Sequence, residues 1–252
     1  MEVAWLRYAV FFLASAPLLL RGRAALRTAR PGTQALRGVA VALGTVAALV
    51  SFKHLPVADA TAIGFVCPVF VTVLAALVLK ERVGRRRWLA ALVAFGGVAI
   101  VVQPGASAFQ PVAMLPILGA VGGAVAVICT RLLRGDDARV TILYTTGTGT
   151  LVLTAMALPG AVMPSAAQAG MLVVVGLFGA AGSVLQVIGY RLAPASLLAP
   201  FSYTQLLWAS GFSVFLLGAP PHASMLLGAA VIVGSAVYTG VRERRVRTAA
   251  TS

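Results

Sequence analysis

Residues Pro56–Val102 read PVADATAIGFVCPVFVTVLAALVLKERVGRRRWLAALVAFGGVAIVV, and this stretch decides the fold. Two apolar segments, Val57–Leu79 and Trp88–Val102, are joined by KERVGRRR, five cations and one acid in eight residues. A helix needs about 20 mostly apolar residues to cross about 30 Å of hydrocarbon. The first segment meets that length and the second approaches it. A soluble core does not alternate runs of this length with so dense a charge cluster. The stretch is therefore expected to be a membrane hairpin whose turn stays in water.

The rest of the chain follows the same pattern. Hydrophobic residues make up 60% of the 252 and charged residues 10%, against about 25% charged in soluble domains. In lipid every backbone polar group must be paired internally, which leaves helices or a closed barrel. Barrel strands alternate over about ten residues, whereas these runs are long and continuous, so the fold is expected to be an all-α polytopic membrane bundle. Nine spans are expected: Val3–Leu20, Leu36–Phe52, Val57–Leu79, Trp88–Val102, Pro111–Leu133, Val140–Leu158, Gly170–Tyr190, Ala195–Leu217 and Ser224–Val241. The first is expected to be a retained helix, because arginines follow its apolar run and no small-residue cleavage site comes after it. The net charge of +14 does not indicate a nucleic-acid partner, since the cations lie between apolar runs rather than on one soluble face. The partners expected are the lipid bilayer and a small-molecule substrate. Cys67 and Cys129 both lie inside spans and read as small packing residues.

Sidedness follows from the distribution of Lys and Arg over alternate loops. One set holds Arg21, Arg23, Arg27, Arg30 and Arg37, then the hinge cations, then Arg131, Arg134, Arg139, Arg191 and the basic tail at 242–252. The other set holds only Lys53, and Arg7 lies inside the first span. The expected placement is a bacterial-type inner membrane, with Met1 outside and the tail in the cytoplasm.

Shifted by 138 residues, the opening stretch falls on Pro194–Gly240, where LAALVAFGGV faces LGAAVIVGSA. The counterpart of the arginine hinge, GAPPHAS, carries no Lys or Arg. It is therefore expected on the opposite side, so that one unit occurs twice in opposite orientations, as in carriers built from inverted repeats. The helix start PVADATAIGFVCPVF, the mid-helix Pro68, the Leu-Lys-Glu-Arg hinge and the Tyr-x-Gln at Tyr203–Gln205 resemble the EamA family of the drug/metabolite transporter superfamily. The resemblance implies repeats over 1–103 and 111–241, a central cavity between the halves, and transport of small organic molecules by alternating access. It also implies ten helices, five per repeat. Four precede Gln103 here, EVAWLRY is similar to the start of the family's second helix, and its first helix has no counterpart. That difference motivates a second expectation, a homodimer or a non-transporting subunit that needs a partner helix.

No enzyme constellation, phosphate loop or metal spacing is present, and no cofactor is expected: His54 and His222 sit in separate outer loops. Polar side chains at membrane depth are the informative ones, because each costs free energy in lipid. Arg7 is either a cation snorkelling to the interface or an anion-attracting group at a cavity mouth. Gln186 and Tyr190 are four apart and share a helix face. With Tyr203, Gln205 and Trp208 on the next span they form a candidate cavity lining of amides and aromatic walls. Interhelical hydrogen bonding is the simpler use of the same groups. Asp59 is expected to cap its helix, Glu81 to pair with Arg85 at i+4, and Gly119, Gly122, Gly123, Gly176, Gly179 and Gly182 to permit close helix packing.

Overall fold

The computed structural model describes residues 2–15, 28–55, 57–81, 83–102, 111–157, 165–217, 223, 226–235 and 237–238. Among the described residues all regular structure is helical. The elements are α1 (Glu2–Ser15), α2 (Pro31–His54), α3 (Val57–Gly64), α4 (Cys67–Leu77) and α5 (Arg85–Val102). A 3-10 turn (Pro111–Ala113) then leads into α6 (Met114–Leu132), followed by α7 (Ala138–Ala157) and α8 (Ala166–Leu192). The next span is assembled from α9 (Ala195–Leu198), a 3-10 segment (Ala199–Tyr203) and α10 (Thr204–Leu217), and α11 covers Leu226–Ser235.

Each expected span contains helix, but two are broken. Pro68 in the first turn of α4 has no N–H to give the Gly64 carbonyl, and its ring crowds the preceding turn. The chain answers with a turn at Phe65–Val66, where the Val66 N–H reaches back to the Ile63 carbonyl at 3.0 Å. In the second half, Pro200 lies within the 3-10 segment that separates α9 from α10. The 138-residue shift carries Phe65 onto Tyr203, so the two breaks stand at corresponding positions.

The exterior is apolar. Four helical stretches, Pro31–His54, Ala60–Leu77, Pro111–Leu132 and Gln168–Leu192, are long and apolar enough to cross a membrane. Large side chains such as Leu151, Phe178 and Phe215 face outward, the last 87% exposed. They suit contact with lipid tails, which are as apolar as the side chains themselves. Between helices the contacts are made by small residues: Ala42, Ala75, Ala91, Ala124, Ala195 and Ala199 are fully buried. α2 packs chiefly on α6 and α7, and α1 on α7 and α8. A Cβ on Gly122 would stand 2.7 Å from the Ala40 carbonyl oxygen, so α2 and α6 approach closely only because that side chain is absent. Gly119 serves the same seam, whereas Gly179 and Gly182 face open space and the packing expected of them is not made.

One end of the bundle is tied across by polar groups, and it is the end that carries the arginines. The Thr28 hydroxyl and Gln34 Nε2 both donate to the Asp136 carboxylate, the latter at 3.1 Å. Arg30 donates to the Leu132 carbonyl at 3.4 Å, and Arg191 reaches the carbonyls of Arg134 and Asp136. Arg131 in turn donates to the Arg191 carbonyl at 2.9 Å.

Glu81 belongs to this network, and the i+4 pair expected with Arg85 does not form. Its carboxylate accepts from the backbone N–H groups of Ala195 and Ser196 at 3.1 and 3.2 Å and from the Ser196 hydroxyl at 2.7 Å. Arg131 Nε stands 3.8 Å away. The cause is local. Lys80 adopts a left-handed backbone with φ of 52°, which turns the chain after α4 and aims Glu81 at the start of α9. There two unpaired helix-end N–H groups outcompete a solvent-exposed arginine. The side chain of Asp59 lies outside the described residues.

Candidate functional site

A cavity of about 730 Å³ runs between the helices of the two halves. Its wall on α2 extends from Arg37 to Phe52, about 22 Å along the helix axis at 1.5 Å per residue. Tyr8 and Phe11 of α1, Thr130 of α6, Thr145 of α7, and Ser183, Gln186 and Tyr190 of α8 also face it. The two broken helices contribute Thr61, Gly64, Phe65, Cys67 and Pro68 from one half and Ser202 and Gln205 from the other. Beside it the rings of Phe65 and Tyr203 pack with centroids 6.2 Å apart and planes at 40°. The two residues are thus related by the 138-residue shift and touch each other.

Three of the six candidate side chains face this space: Gln186, Tyr190 and Gln205. Tyr190 is 5% exposed, while the two glutamines are exposed and mark the open part of the wall. Tyr203 is fully buried behind the wall against Ala94, Val98, Leu206 and Ile232, and its hydroxyl has no hydrogen-bond partner among the described residues. Trp208 is 70% exposed and is not part of the lining. α10 starts one residue after Tyr203, and its rotation sends position 208 away from the cavity. The Arg7 side chain lies outside the described residues, although its backbone is in α1.

The sequence profile of EamA-like transporters matches residues 1–103 and 111–241. The chain belongs to the EamA-like transporter family. In this EamA-family chain the similarity extends over nearly the whole length. It is 31% identical over 251 residues to a riboflavin transporter of Rhizobium johnstonii, covering 97% of this chain and 82% of that one. It is 27% identical to an S-adenosylmethionine uptake transporter of Rickettsia prowazekii, over 97% of this chain and 84% of the relative. A pseudopaline exporter of Pseudomonas aeruginosa is 28% identical over 85% of this chain and 78% of its own. A solved crystal structure superposes with a TM-score of 0.80 at 21% identity, over 97% of this chain and 88% of that one, a likeness of fold alone. The chain is thus a multi-pass membrane transporter protein of the drug/metabolite type.

The cavity of this EamA protein also holds a group that the sequence placed elsewhere. Arg37 is the second residue of the expected span Leu36–Phe52 and counts there among the loop cations that set sidedness. In the structure α2 starts at Pro31, with proline in the first turn where its missing N–H costs nothing. Arg37 therefore sits in the second turn, 6% exposed. Its Nε donates to the Thr130 hydroxyl at 2.7 Å and its Nη1 to the Thr145 hydroxyl. The one signal that pointed to it was polar spacing: Gln34, Arg37 and Thr45 share the face of α2 that meets α6, α7 and α1.

Proposed function

We propose that this protein carries small organic solutes across a bacterial inner membrane by alternating access of the central cavity. The observation that carries the proposal is the cavity itself. It is walled by both halves, and two corresponding broken helices border it and meet at Phe65 and Tyr203. Discontinuous helices at matching places in two halves are the usual frame of a midplane solute site, because free backbone groups and half-helix ends face the substrate there. The two halves, 1–103 and 111–241, are inverted repeats in this scheme.

The ties at the arginine-bearing end form the closed gate. In this scheme the arginines lie on the cytoplasmic side, and the carrier described is closed inward and open outward. Rocking the halves breaks the Glu81, Arg131 and Arg191 contacts and closes the far end, where Ser51 and Phe52 line the cavity.

The wall of amides, hydroxyls and aromatic rings suits a flat polar molecule, and the relatives named for riboflavin and S-adenosylmethionine set the first panel. The test is the full chain in proteoliposomes, with uptake of riboflavin, S-adenosylmethionine and a wider metabolite set followed under either polarity of gradient. Saturable uptake of at least one solute is expected, with KM raised about 5- to 12-fold by Gln205→Leu or Gln186→Leu, the loss of one hydrogen bond of about 1–1.5 kcal/mol. Absence of any saturable flux over the whole panel rejects the carrier function.

A further inference from the structure

We infer that Arg37 is the binding group for an anion, and that the solute taken into the cavity carries a carboxylate. The inference rests on the cavity being the substrate pocket and adds the chemical class of its occupant.

The polarity of the bonds around Arg37 is fixed. The Thr130 hydroxyl donates its only proton to the Ala126 carbonyl at 2.8 Å, and Thr145 donates its own to Thr141 at 2.7 Å. Both oxygens are therefore acceptors toward Arg37 and hold the guanidinium in one orientation from two helices. A guanidinium has five N–H donors. Two are used here, which leaves three, including both on Nη2, at a group that lines the cavity.

Among the described side chains, no carboxylate answers the positive charge. The described carboxylates are Glu81, Asp136 and Asp137, and each is engaged elsewhere. Glu81 holds the start of α9, Asp136 takes Thr28 and Gln34, and Asp137 caps the Arg139 N–H at 2.9 Å from an exposed position. Tyr8 lines the same cavity and the buried Cys129 lies close to Arg37. Neither brings a carboxylate to the guanidinium. A buried cation with two neutral acceptors and free forked donors matches a planar carboxylate, which it can bind by two parallel hydrogen bonds. Arg37 stands at the tied end of the cavity, so the anion of a bound solute enters first and the rest of the molecule lies along α2 toward Thr45 and Ser51.

The test uses the full chain in detergent and probe pairs that differ mainly in the acid group: nicotinate with nicotinamide, S-adenosylmethionine with its decarboxylated form, and riboflavin 5′-phosphate with riboflavin as a phosphate control. Binding is read by thermal shift and calorimetry. The acid member of at least one carboxylate pair is expected to bind tenfold or more tightly than its partner that lacks the carboxylate. Arg37→Gln should erase that preference, and Arg37→Lys should keep part of it. Because Arg37 also ties three helices together, each variant is first checked for a monodisperse elution profile. Should Arg37→Gln fail that check, the wild-type pair comparison and Thr130→Val, which frees the guanidinium without removing it, decide the matter. Equal affinities within every carboxylate pair, a lack of binding by every acid member, or an acid preference that survives in Arg37→Gln overturns the inference. Anion binding without flux in vesicles would reject the carrier and keep Arg37. Flux of neutral solutes with Arg37→Gln unimpaired would do the reverse.

Discussion

Glu81→Ala should unfasten the gate. The carboxylate accepts three hydrogen bonds at 2.7–3.2 Å from the first two residues of α9 and sits 3.8 Å from Arg131 Nε. It acts as the N-terminal cap of that helix, supplied by the other half of the chain. A lost cap costs about 0.5–2 kcal/mol, and the lost charge near a helix start about 0.3–1 kcal/mol more. Glu81 is only 14% exposed, so the upper half of that range applies, about 2–3 kcal/mol. In the proposed alternating-access scheme those bonds exist only while the arginine-bearing end is closed, so their loss shifts the balance toward the opposite state by the same amount. At tenfold per 1.4 kcal/mol that is about 30- to 150-fold. The chain carries its own reporter, because Cys67 lines the cavity and Cys129 is 3% exposed. In a Cys129→Ser background, a membrane-impermeant maleimide should label Cys67 from the outer face in right-side-out vesicles. With Glu81→Ala, labelling should move to the cytoplasmic face in inverted vesicles, and Glu81→Gln, which keeps one acceptor oxygen, should fall between. A Glu81→Ala protein labelled like its parent from both faces would refute the gate, even with a lower Tm.

The remaining predictions concern packing and exposure. Gly122→Ala puts a methyl 2.7 Å from the Ala40 carbonyl and should cost about 1–3 kcal/mol, whereas Gly182→Ala meets nothing and should be neutral or gain up to about 1 kcal/mol of helix propensity. Paired thermal melts in detergent compare them. Tyr203→Phe removes a buried hydroxyl that has no partner among the described residues and should raise Tm, by about 1 kcal/mol of stability; a fall of the same size would mean that the hydroxyl is satisfied. Trp208, 70% exposed, should be quenched by brominated lipid tails when Trp5 and Trp88 are replaced by Phe, and Trp208→Leu should leave solute affinity unchanged.

The candidate site was only partly legible beforehand. Gln186 and Tyr190 sit four apart on one continuous helix, and both do face the cavity. Tyr203, Gln205 and Trp208 were expected together in the cavity lining from the next span. The real span passes through a 3-10 segment at 199–203 that ends on the buried Tyr203, and within α10 Gln205 faces the cavity while Trp208, three residues on, is turned outward. Arg37 was missed because it was counted with the loop cations at the edge of its span, whereas the helix begins a turn and a half before Leu36, at Pro31, and carries Arg37 inside the bundle.

By itself the sequence determined that the chain forms apolar helices, where they lie, and that their arginines cluster at alternate turns. Those properties depend on residue type and spacing, because hydrocarbon tolerates neither open backbone nor scattered charge. Only the tertiary structure decided which polar groups meet. Glu81 reaches Ser196 across 115 positions of chain, and Arg37 reaches Thr130 across 93. Contacts of that separation are set by how helices pack through their small residues, a geometry that no local pattern encodes.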